Sequence, residues 1–396
     1  MSTPRPTLHY SPPSGWVNDP LALTFHDGRY HLFFQYVAGR TTWDVACTWG
    51  HATSPDLHTW ETQPVALEVG DGEDGVWSGS IADDVLFYTA VDAGNADQGR
   101  VRRALPDQPS WTTWRKEDVV LGPPVDGSAL AFRDPYVTAY QGGWRMLLAG
   151  GLPDGAGALW SSRSEDLVAW SPPVLAASGT DVGPLWECPA LLEVDGRPVL
   201  VLSVGGPGDQ HAVVYAWVES DDGDRLGLGP FQQLTYGPSV YAASGFADAD
   251  GRPGLISWLR NVGDADAGWM GAHSLPWVLS ATGDRLLARP HPTLDQRRAG
   301  QASTGVLPLV ADVAWAPRPG DVLEAAGLFR AQVAQDHVMI AGHVLPWSGE
   351  PLRMVLDGPV LEVFGDGGVL AVPVLASGRD SVIEGDLERV TVTRLV

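Results

Sequence analysis

The stretch Trp16–Pro20 (WVNDP) places a carboxylate, Asp19, just before a short apolar run and a turn. Two later stretches, Arg133–Pro135 (RDP) and Glu187–Pro189 (ECP), each lead in the same way into an apolar run and a glycine-containing turn. Proline is acceptable at the first position of a strand because its missing N–H is not needed there. Asp-Gly turns are typical of hairpins. The three stretches therefore predict three copies of one strand-and-hairpin unit, each beginning with an acid.

Equivalent positions of radially arranged repeats meet around a common axis. In a β-propeller the first strand of every blade lines the central channel, so Asp19, Asp134 and Glu187 would converge on one acidic pocket. Each acid alone could instead cap a turn, which is the usual role of such a side chain. Their occurrence in the same frame of all three repeats favours the pocket.

A second repeat supports the same architecture. Ser54–Trp60 and Ser164–Trp170 both read S-x-D-L-x-x-W. We expect the Ser and Asp of each copy to fix a tight turn and the Trp to pack between blades. The first and third blades are expected to end near these tryptophans.

Short apolar runs alternate with turn residues along the chain, which contains 47 Gly and 32 Pro. This pattern predicts an all-β protein. We expect a five-bladed β-propeller catalytic domain over residues 1–297, a boundary near the polar, Pro-containing stretch 289–302, and a short C-terminal β-sandwich over residues 303–396. The predicted blades begin near Asp19, Gly79, Asp134, Glu187 and Tyr241.

The 396-residue chain carries 48 acidic and 25 basic residues, a formal net charge of −23. This balance argues against nucleic acid or an anionic membrane as a partner. The first residues lack the apolar stretch of a secretory signal, and no run is long enough to span a bilayer, so a cytoplasmic location is expected.

The two cysteines, Cys47 and Cys188, form neither a disulfide framework nor a metal-ligand spacing. No H-E-x-x-H motif is present either, so neither a metal nor a cofactor is expected. Cys188 directly follows Glu187, and neighbouring residues of a strand face opposite sides. We therefore expect its thiol to point away from the pocket and to be buried and inert.

The repeated stretches resemble the signature motifs of glycoside hydrolase family 32, the invertases, inulinases and levanases, which read W-x-N-D-P, R-D-P and E-C. Trp49–Trp60 is similar to the family's W-G-H-A-x-S-x-D-L-x-x-W, and Trp77–Ser80 to its F-S-G-S. The resemblance covers residues 7–295 in the expected order. It implies a propeller followed by a sandwich, and a small carbohydrate as substrate.

The resemblance also implies roles for the acids. Asp19 would be the nucleophile, Glu187 the general acid/base, and Asp134 would hold sugar hydroxyls and stabilise the transition state. A retaining enzyme places its two reacting carboxyl groups about 5 Å apart. Arg133 can offset the crowded charge and keep Asp134 ionised. The remaining positions that match the fructose subsite are Asn18, Gln35, Trp43 and Ser78.

The sequence departs from the family pattern at several positions. Leu21-Ala22 replaces Asn-Gly, Val37 replaces an Asn, and Ser239 stands where an Asp is usual. These changes leave the leaving-group side of the pocket open to question. The predicted function is a retaining β-fructofuranosidase that releases fructose from sucrose or short fructo-oligosaccharides. The alternatives are a fructosyltransferase on the same scaffold and a propeller that binds fructans without cleaving them.

Overall fold

The structure is a computed structural model that describes residues 3–205, 211–376 and 378–396. Nearly all of its regular structure is β-strand. The helical segments within these ranges are short 3₁₀ turns at Ala93–Asn95, Pro292–Arg297 and Leu387–Arg389. No helix in the described ranges is long and apolar enough to cross a membrane.

The first part of the chain forms five consecutive antiparallel units, and in the first three of them each strand pairs with the next. Unit 1 contains β1 (Gly15–His26), β2 (Arg29–Val37), β3 (Thr48–Ser54) and β4 (Glu61–Leu67). Unit 2 contains β5 (Gly75–Ala82), β6 (Val85–Val91), β7 (Arg100–Pro106) and β8 (Trp114–Leu121). Unit 3 contains β9 (Ala131–Tyr140), β10 (Gly143–Gly151), β11 (Gly157–Ser164) and β12 (Val174–Gly179).

Two further units complete this part. Unit 4 contains β13 (Leu185–Val194), β14 (Arg197–Gly205), β15 (His211–Asp221), β16 (Leu226–Leu228) and β17 (Gln232–Gln233). The short β18 (Thr235–Tyr236) pairs with a strand near the C-terminus. Unit 5 contains β19 (Val240–Ala247), β20 (Pro253–Asp264), β21 (Trp269–His273), β22 (Trp277–Thr282) and β23 (Arg285–Pro290).

The first strands of the five units form a closed ring. We call β1, β5, β9, β13 and β19 the inner strands; each contacts the next, and β19 contacts β1. Hydrogen bonds also join unit 5 to unit 1, because β21 runs parallel to β1 with Gly15 opposite Trp269 and Trp16 opposite Met270. The start of every unit is therefore brought to one axis.

The rest of the chain forms two sheets that share one apolar core. Leu323 and Ile340 of one sheet and Val313 and Val363 of the other are all buried in that core. The strands are β24 (Arg298–Gln301), β25 (Val306–Leu307), β26 (Val310–Trp315), β27 (Val322–Ala325), β28 (Phe329–Val333), β29 (His337–Ile340), β30 (His343–Pro346), β31 (Leu352–Asp357), β32 (Val360–Gly365), β33 (Gly368–Pro373), β34 (Ser381–Gly385) and β35 (Val390–Leu395).

The two S-x-D-L-x-x-W segments adopt the same turn. In each copy the Asp side chain accepts hydrogen bonds from two later backbone N–H groups, those of His58 and Thr59 for Asp56 and the equivalent pair for Asp166. Trp170 of unit 3 lies against Phe87 of unit 2, with ring centroids 5.7 Å apart, as expected for packing between units. The expectation that units end at these tryptophans is wrong, since a fourth strand follows each turn.

A buried ion-pair cluster joins the two parts of the chain. His9 lies between Asp357 and Glu362, with Nδ1 2.8 Å from Asp357 Oδ2 and Nε2 3.0 Å from Glu362 Oε2, and all three side chains are fully buried. Glu362 also accepts a hydrogen bond from the backbone N–H of Leu275 at 3.1 Å. Burial alone would lower the pKa of His9, but the two carboxylates raise it to about 9.

Replacing His9 by alanine is expected to destabilise the protein by about 3–5 kcal/mol, because two buried carboxylates lose their cation. The pKa of His9 is raised from 6.5 to about 9 in the folded state. Its contribution is therefore complete below pH 6.5 and is lost as the pH rises through about 9. Urea unfolding at pH 6 and pH 10 measures both effects. His337→Ala, which removes a surface pair with Asp336, is the control and should cost less than about 1 kcal/mol. An equal loss in both variants would contradict the prediction.

Candidate active site

Every inner strand has an irregular register near its start. A β-bulge inserts an extra residue into one strand and redirects the neighbouring side chains. The pairing register of the inner strands shifts at Val17/Pro20, at Trp77/Gly79, opposite Leu147/Ala149, at Glu187/Ala190 and at Tyr241/Ser244. The predicted acids lie at or beside these shifts, where side-chain direction no longer follows simple alternation.

The backbone is left-handed at three of these shifts, at Asp134, Cys188 and Ala242 (φ 51°). Asp134 has φ 60° and Cys188 has φ 46°, a region that residues other than glycine seldom occupy. Cys188 Sγ consequently lies 3.8 Å from Asp19 Oδ2, and Cys188 lines the same cavity as Glu187. The prediction that Cys188 points away is wrong, because the bulge breaks the alternation on which it relied. Burial raises the pKa of the thiol, and the nearby carboxylates raise it further, so the group is a neutral thiol.

One open cavity of about 300 Å³ gathers most of the predicted residues. Those on its wall are Asn18, Asp19, Gln35, Trp43, Arg133, Asp134 and Glu187. Ser78 lines a smaller cavity that also touches Asp134 and Cys188. Leu21, one of the departures from the family pattern, lines this smaller cavity and is not among the residues that line the larger one.

Asp19 of β1 is held by a network of neutral donors. Asn18 Nδ2 donates to Asp19 Oδ1 at 3.0 Å, and Gln35 Nε2 donates to Oδ2 at 3.3 Å. The Ser78 hydroxyl donates to the same Oδ2. Burial raises the pKa of Asp19, while the hydrogen bonds from Ser78 and Asn18 act in the opposite direction. The network fixes the orientation of the carboxylate without placing a cation directly on it.

Glu187 of β13 has a different set of partners. Arg133 Nη2 donates to Glu187 Oε1 at 2.9 Å, and the Tyr241 hydroxyl donates to Oε2. Burial, followed by the negative charge of Glu187, raises the pKa of Tyr241 well above its ordinary value, so the phenol keeps its proton. Asp19 and Glu187 thus share one cavity but have contrasting surroundings.

Asp134 lines both the larger and the smaller cavity. Its Oδ2 accepts a hydrogen bond from the backbone N–H of Cys188 at 2.9 Å, while its own N–H donates to Thr89 Oγ1 at 2.9 Å. Burial raises its pKa to about 7; the Arg133 charge opposes this rise, and Glu187 and Asp19 add to it. The expectation that Arg133 keeps Asp134 ionised therefore holds only in part, because the guanidinium donates to Glu187 and Asp97.

The raised pKa of Asp134 gives a stability prediction with a definite sign. A carboxyl whose pKa rises from 3.8 to about 7 on folding contributes stability below pH 3.8, and this contribution is lost as the pH passes 7. Asp134→Asn keeps an acceptor for the Cys188 N–H and removes the charge. It should raise the free energy of unfolding at pH 8 by on the order of 2–4 kcal/mol and change it little at pH 4. The control Asp126→Asn, at an exposed turn, should show no such gain. If the free energy of unfolding of Asp134→Asn differed from that of the wild type by the same amount at pH 4 and pH 8, the charge of Asp134 would not be the cause.

Sequence reasoning missed several residues on the cavity wall. Tyr241 belongs to the stretch Ser239–Ala242, where only the absent Asp was considered. Asp97 lies in the connection between β6 and β7, and no motif marks it. Trp16 packs edge-on against Trp258, with ring centroids 5.5 Å apart, on one side of the cavity. The full set of additional wall residues is Trp16, Trp77, Asp97, Cys188, His211, Tyr241 and Trp258.

Residues 9–290 match the family model described as the glycosyl hydrolases family 32 N-terminal domain. The chain belongs to glycoside hydrolase family 32. Among its relatives in this family, a sucrose-6-phosphate hydrolase of Escherichia coli is 32% identical over 311 residues, which cover 72% of this chain and 64% of that protein. A raffinose invertase of Escherichia coli is 31% identical over 309 residues, which cover 72% of this chain and 64% of that protein. The chain thus spans less than two thirds of the length of these relatives.

Solved family 32 structures resemble the whole chain. A Bombyx mori family 32 β-fructofuranosidase variant, in complex with sucrose, aligns with a TM-score of 0.86 and 25% identity over 99% of this chain and 94% of its own. A sucrose-6-phosphate hydrolase from Lactobacillus gasseri aligns with a TM-score of 0.83 and 21% identity, over 99% of this chain and 93% of its own. The similarity therefore extends past residue 290 into the C-terminal sheets.

Proposed function

We propose that this family 32 protein is a retaining β-fructofuranosidase that releases fructose from sucrose or short fructo-oligosaccharides. The observation that carries the proposal is the contrast between Asp19 and Glu187 in one cavity. Neutral amide and hydroxyl donors hold Asp19, whereas a guanidinium and a phenol hold Glu187. Retaining glycosidases need two carboxyl groups with different tasks, and a propeller that only bound fructans would need neither.

The proposed architecture assigns each ring unit to one blade of a five-bladed β-propeller. The catalytic domain covers residues 1–297, and residues 303–396 form a β-sandwich. The closed ring of inner strands supports the first assignment, and the apolar core shared by the two C-terminal sheets supports the second.

In the proposed reaction Asp19 attacks the anomeric carbon of the fructosyl unit while Glu187 gives its proton to the departing oxygen. The bond to the leaving sugar breaks and a fructosyl–Asp19 ester forms. Glu187, now ionised, takes a proton from water, whose oxygen attacks the anomeric carbon and frees Asp19. Arg133 and Tyr241 fix the direction of Glu187 during both steps. No cofactor or metal has a part in this sequence of steps.

The fructose unit is proposed to contact the polar network around Asp19. Asn18, Gln35 and Ser78 each have groups that hydrogen-bond within this network, and the same groups can bind sugar hydroxyls. Asp134, beside them, would hold two hydroxyls and stabilise the developing charge. Trp43 packs edge-on against Trp77 with ring centroids 5.7 Å apart, which supplies an apolar wall of the kind that sugars contact.

Incubation with sucrose and separation of the products tests the proposal. Free fructose and glucose in equal amounts are expected. Longer oligosaccharides would indicate a fructosyltransferase, and binding without turnover would indicate a fructan-binding module. Sucrose 6-phosphate should be assayed in parallel, because two of the similar proteins are named for that substrate. The matched control is Asp19→Asn, which should abolish fructose release while leaving the thermal unfolding temperature close to that of the wild type.

Chain-length preference provides a further prediction. A pocket at the end of a propeller channel suits a terminal sugar rather than one in the middle of a chain, and a cytoplasmic enzyme would encounter imported short saccharides. We expect kcat/KM to fall from sucrose and a fructan trisaccharide toward polymeric inulin, with fructose as the only early product. The measurement compares the three at equal concentrations of chain ends. Higher kcat/KM on inulin, or early release of oligomers, would contradict exo action on short substrates.

A further inference from the structure

Asp97 shares the guanidinium of Arg133 with Glu187. Arg133 Nη1 donates to Asp97 Oδ1 at 3.0 Å, and Nη2 donates to Glu187 Oε1 at 2.9 Å. The Arg133 side chain is 8% exposed, whereas that of Asp97 is 72% exposed at the cavity mouth. One buried cation therefore connects the proposed acid/base to a carboxylate that stands in solvent.

The backbone fixes Asp97 at this position. The N–H of Phe132, the residue before Arg133, donates to the carbonyl of Asp97 at 2.8 Å, and the N–H of Gly99 donates to the carbonyl of Phe132 at 3.0 Å. Gln98 forms a parallel bridge with Phe132. An exposed acid on a loose loop would contribute little to an ion pair, but here the segment that carries the acid is paired with the strand that carries the arginine.

Arg133 has a third contact, with the ring of Trp77, in addition to those with Asp97 and Glu187. Its guanidinium carbon lies 5.7 Å from the ring centre of Trp77, over the ring face. Burial acts to lower the pKa of Arg133, but the charges of Glu187 and Asp134 and the hydrogen bonds to Glu187 and Asp97 raise it, so the side chain stays charged. A permanent cation next to a group that must hold a proton favours loss of that proton.

We infer that Asp97 is a positioning residue that divides the Arg133 guanidinium between two carboxylates and so limits how strongly Arg133 opposes protonation of Glu187. The inference rests on the proposed function, because it concerns the acid step of that reaction. Asp97 also fixes the orientation of the Arg133 guanidinium. The two terminal nitrogens can donate to both carboxylates only when the guanidinium plane lies between them. Without Asp97 the whole charge of Arg133 would act on Glu187 and oppose transfer of a proton to the leaving group.

Other groups near Glu187 act on it in every variant. Asp19, Asp134 and Cys188 line the same cavity as Glu187, and the Tyr241 hydroxyl of β19 donates to it. His211 lies on the same wall, with its ring centre 4.6 Å from that of Tyr241, and Arg260 donates to His211. The variants below leave all of these groups in place, so a change in the pH profile reports the Asp97–Arg133 contact.

The test is the pH dependence of kcat/KM for sucrose in wild type and in Asp97→Asn. The asparagine oxygen can still accept from Arg133, so only the charge changes. The alkaline limb of the profile should move to lower pH by about half a pH unit, with the thermal unfolding temperature unchanged. Asp97→Glu, which restores the charge, should return the limb toward the wild-type position.

Asp92→Asn is the matched control. Asp92 lies in the same β6–β7 connection, and its carboxylate pairs with Arg100 at 2.7 Å, away from the cavity. The alkaline limb of the pH profile of Asp92→Asn should coincide with that of the wild type. An unmoved or raised limb in Asp97→Asn, or an equal shift in Asp92→Asn, overturns the inference while fructose release by the wild type still supports the proposed function. A wild type that releases no fructose at any pH rejects both.

Discussion

Asp19→Asn is expected to lower kcat on sucrose by about three or more orders of magnitude, because the amide cannot form the fructosyl ester. The substitution should preserve the fold. The amide has the size of the carboxylate, and the Ser78 hydroxyl, which donates to Asp19, can rotate to accept instead. Steady-state kinetics on sucrose, together with a thermal unfolding curve, measure both parts of the prediction.

Asp27→Asn is the control for this variant. Asp27 lies in the turn between β1 and β2 with φ 46°, a conformation that asparagine tolerates well, and this turn is at the far end of β1 from Asp19. The activity of the Asp27→Asn variant should match that of the wild type. An Asp19→Asn enzyme that keeps a tenth of the wild-type kcat would show that another group is the nucleophile.

The second large effect is expected for Glu187→Ala and depends on the leaving group. With sucrose, whose leaving oxygen needs a proton, the rate should fall by about 10²–10⁴-fold. With an aryl fructoside whose leaving group departs without a proton, formation of the fructosyl enzyme should remain close to the wild-type rate. Pre-steady-state release of the aryl group separates this first step from the later attack by water, which should remain slow.

Glu193→Ala is the corresponding control, since Glu193 is exposed near the far end of the same strand, β13. It should be as active as the wild type on both substrates. The Tyr241 and Arg133 side chains lose an acceptor in Glu187→Ala, so Glu187→Gln, which retains an oxygen, should show the same selective loss with less disturbance. If both Glu187 variants lose equal activity on the two substrates, Glu187 is not the proton donor.

The repeat of acid, proline and apolar run was sufficient to predict that the acids share one pocket. Asp19, Asp134 and Glu187 do lie on inner strands, and the ring brings them to one cavity. This part was predictable because the arrangement of repeats fixes the position of equivalent residues. The family was predictable for a similar reason, since its motifs lie in these same strands and the family model covers residues 9–290.

The direction of side chains at the site was not predictable from alternation. Cys188 is the clearest case: the left-handed backbone at that residue turns its thiol toward Asp19. Asp97 was missed for another reason. Its contact with Arg133 depends on a bridge between Gln98 and Phe132, and these residues are brought together by the packing of unit 2 against unit 3. Neither a bulge nor a contact between units leaves a periodic signal in the sequence.

The pairing of strand β21 with strand β1 affects how the protein can fold during synthesis. Gly15 and Trp16 pair with Trp269 and Met270, so the ring can close only after most of the chain has left the ribosome. Until then β1, which carries Asp19, lacks its neighbour on one edge. Contacts between residues so distant in sequence slow folding, and open strand edges favour aggregation. Slower translation of the segment before Trp269 is therefore expected to increase misfolded product.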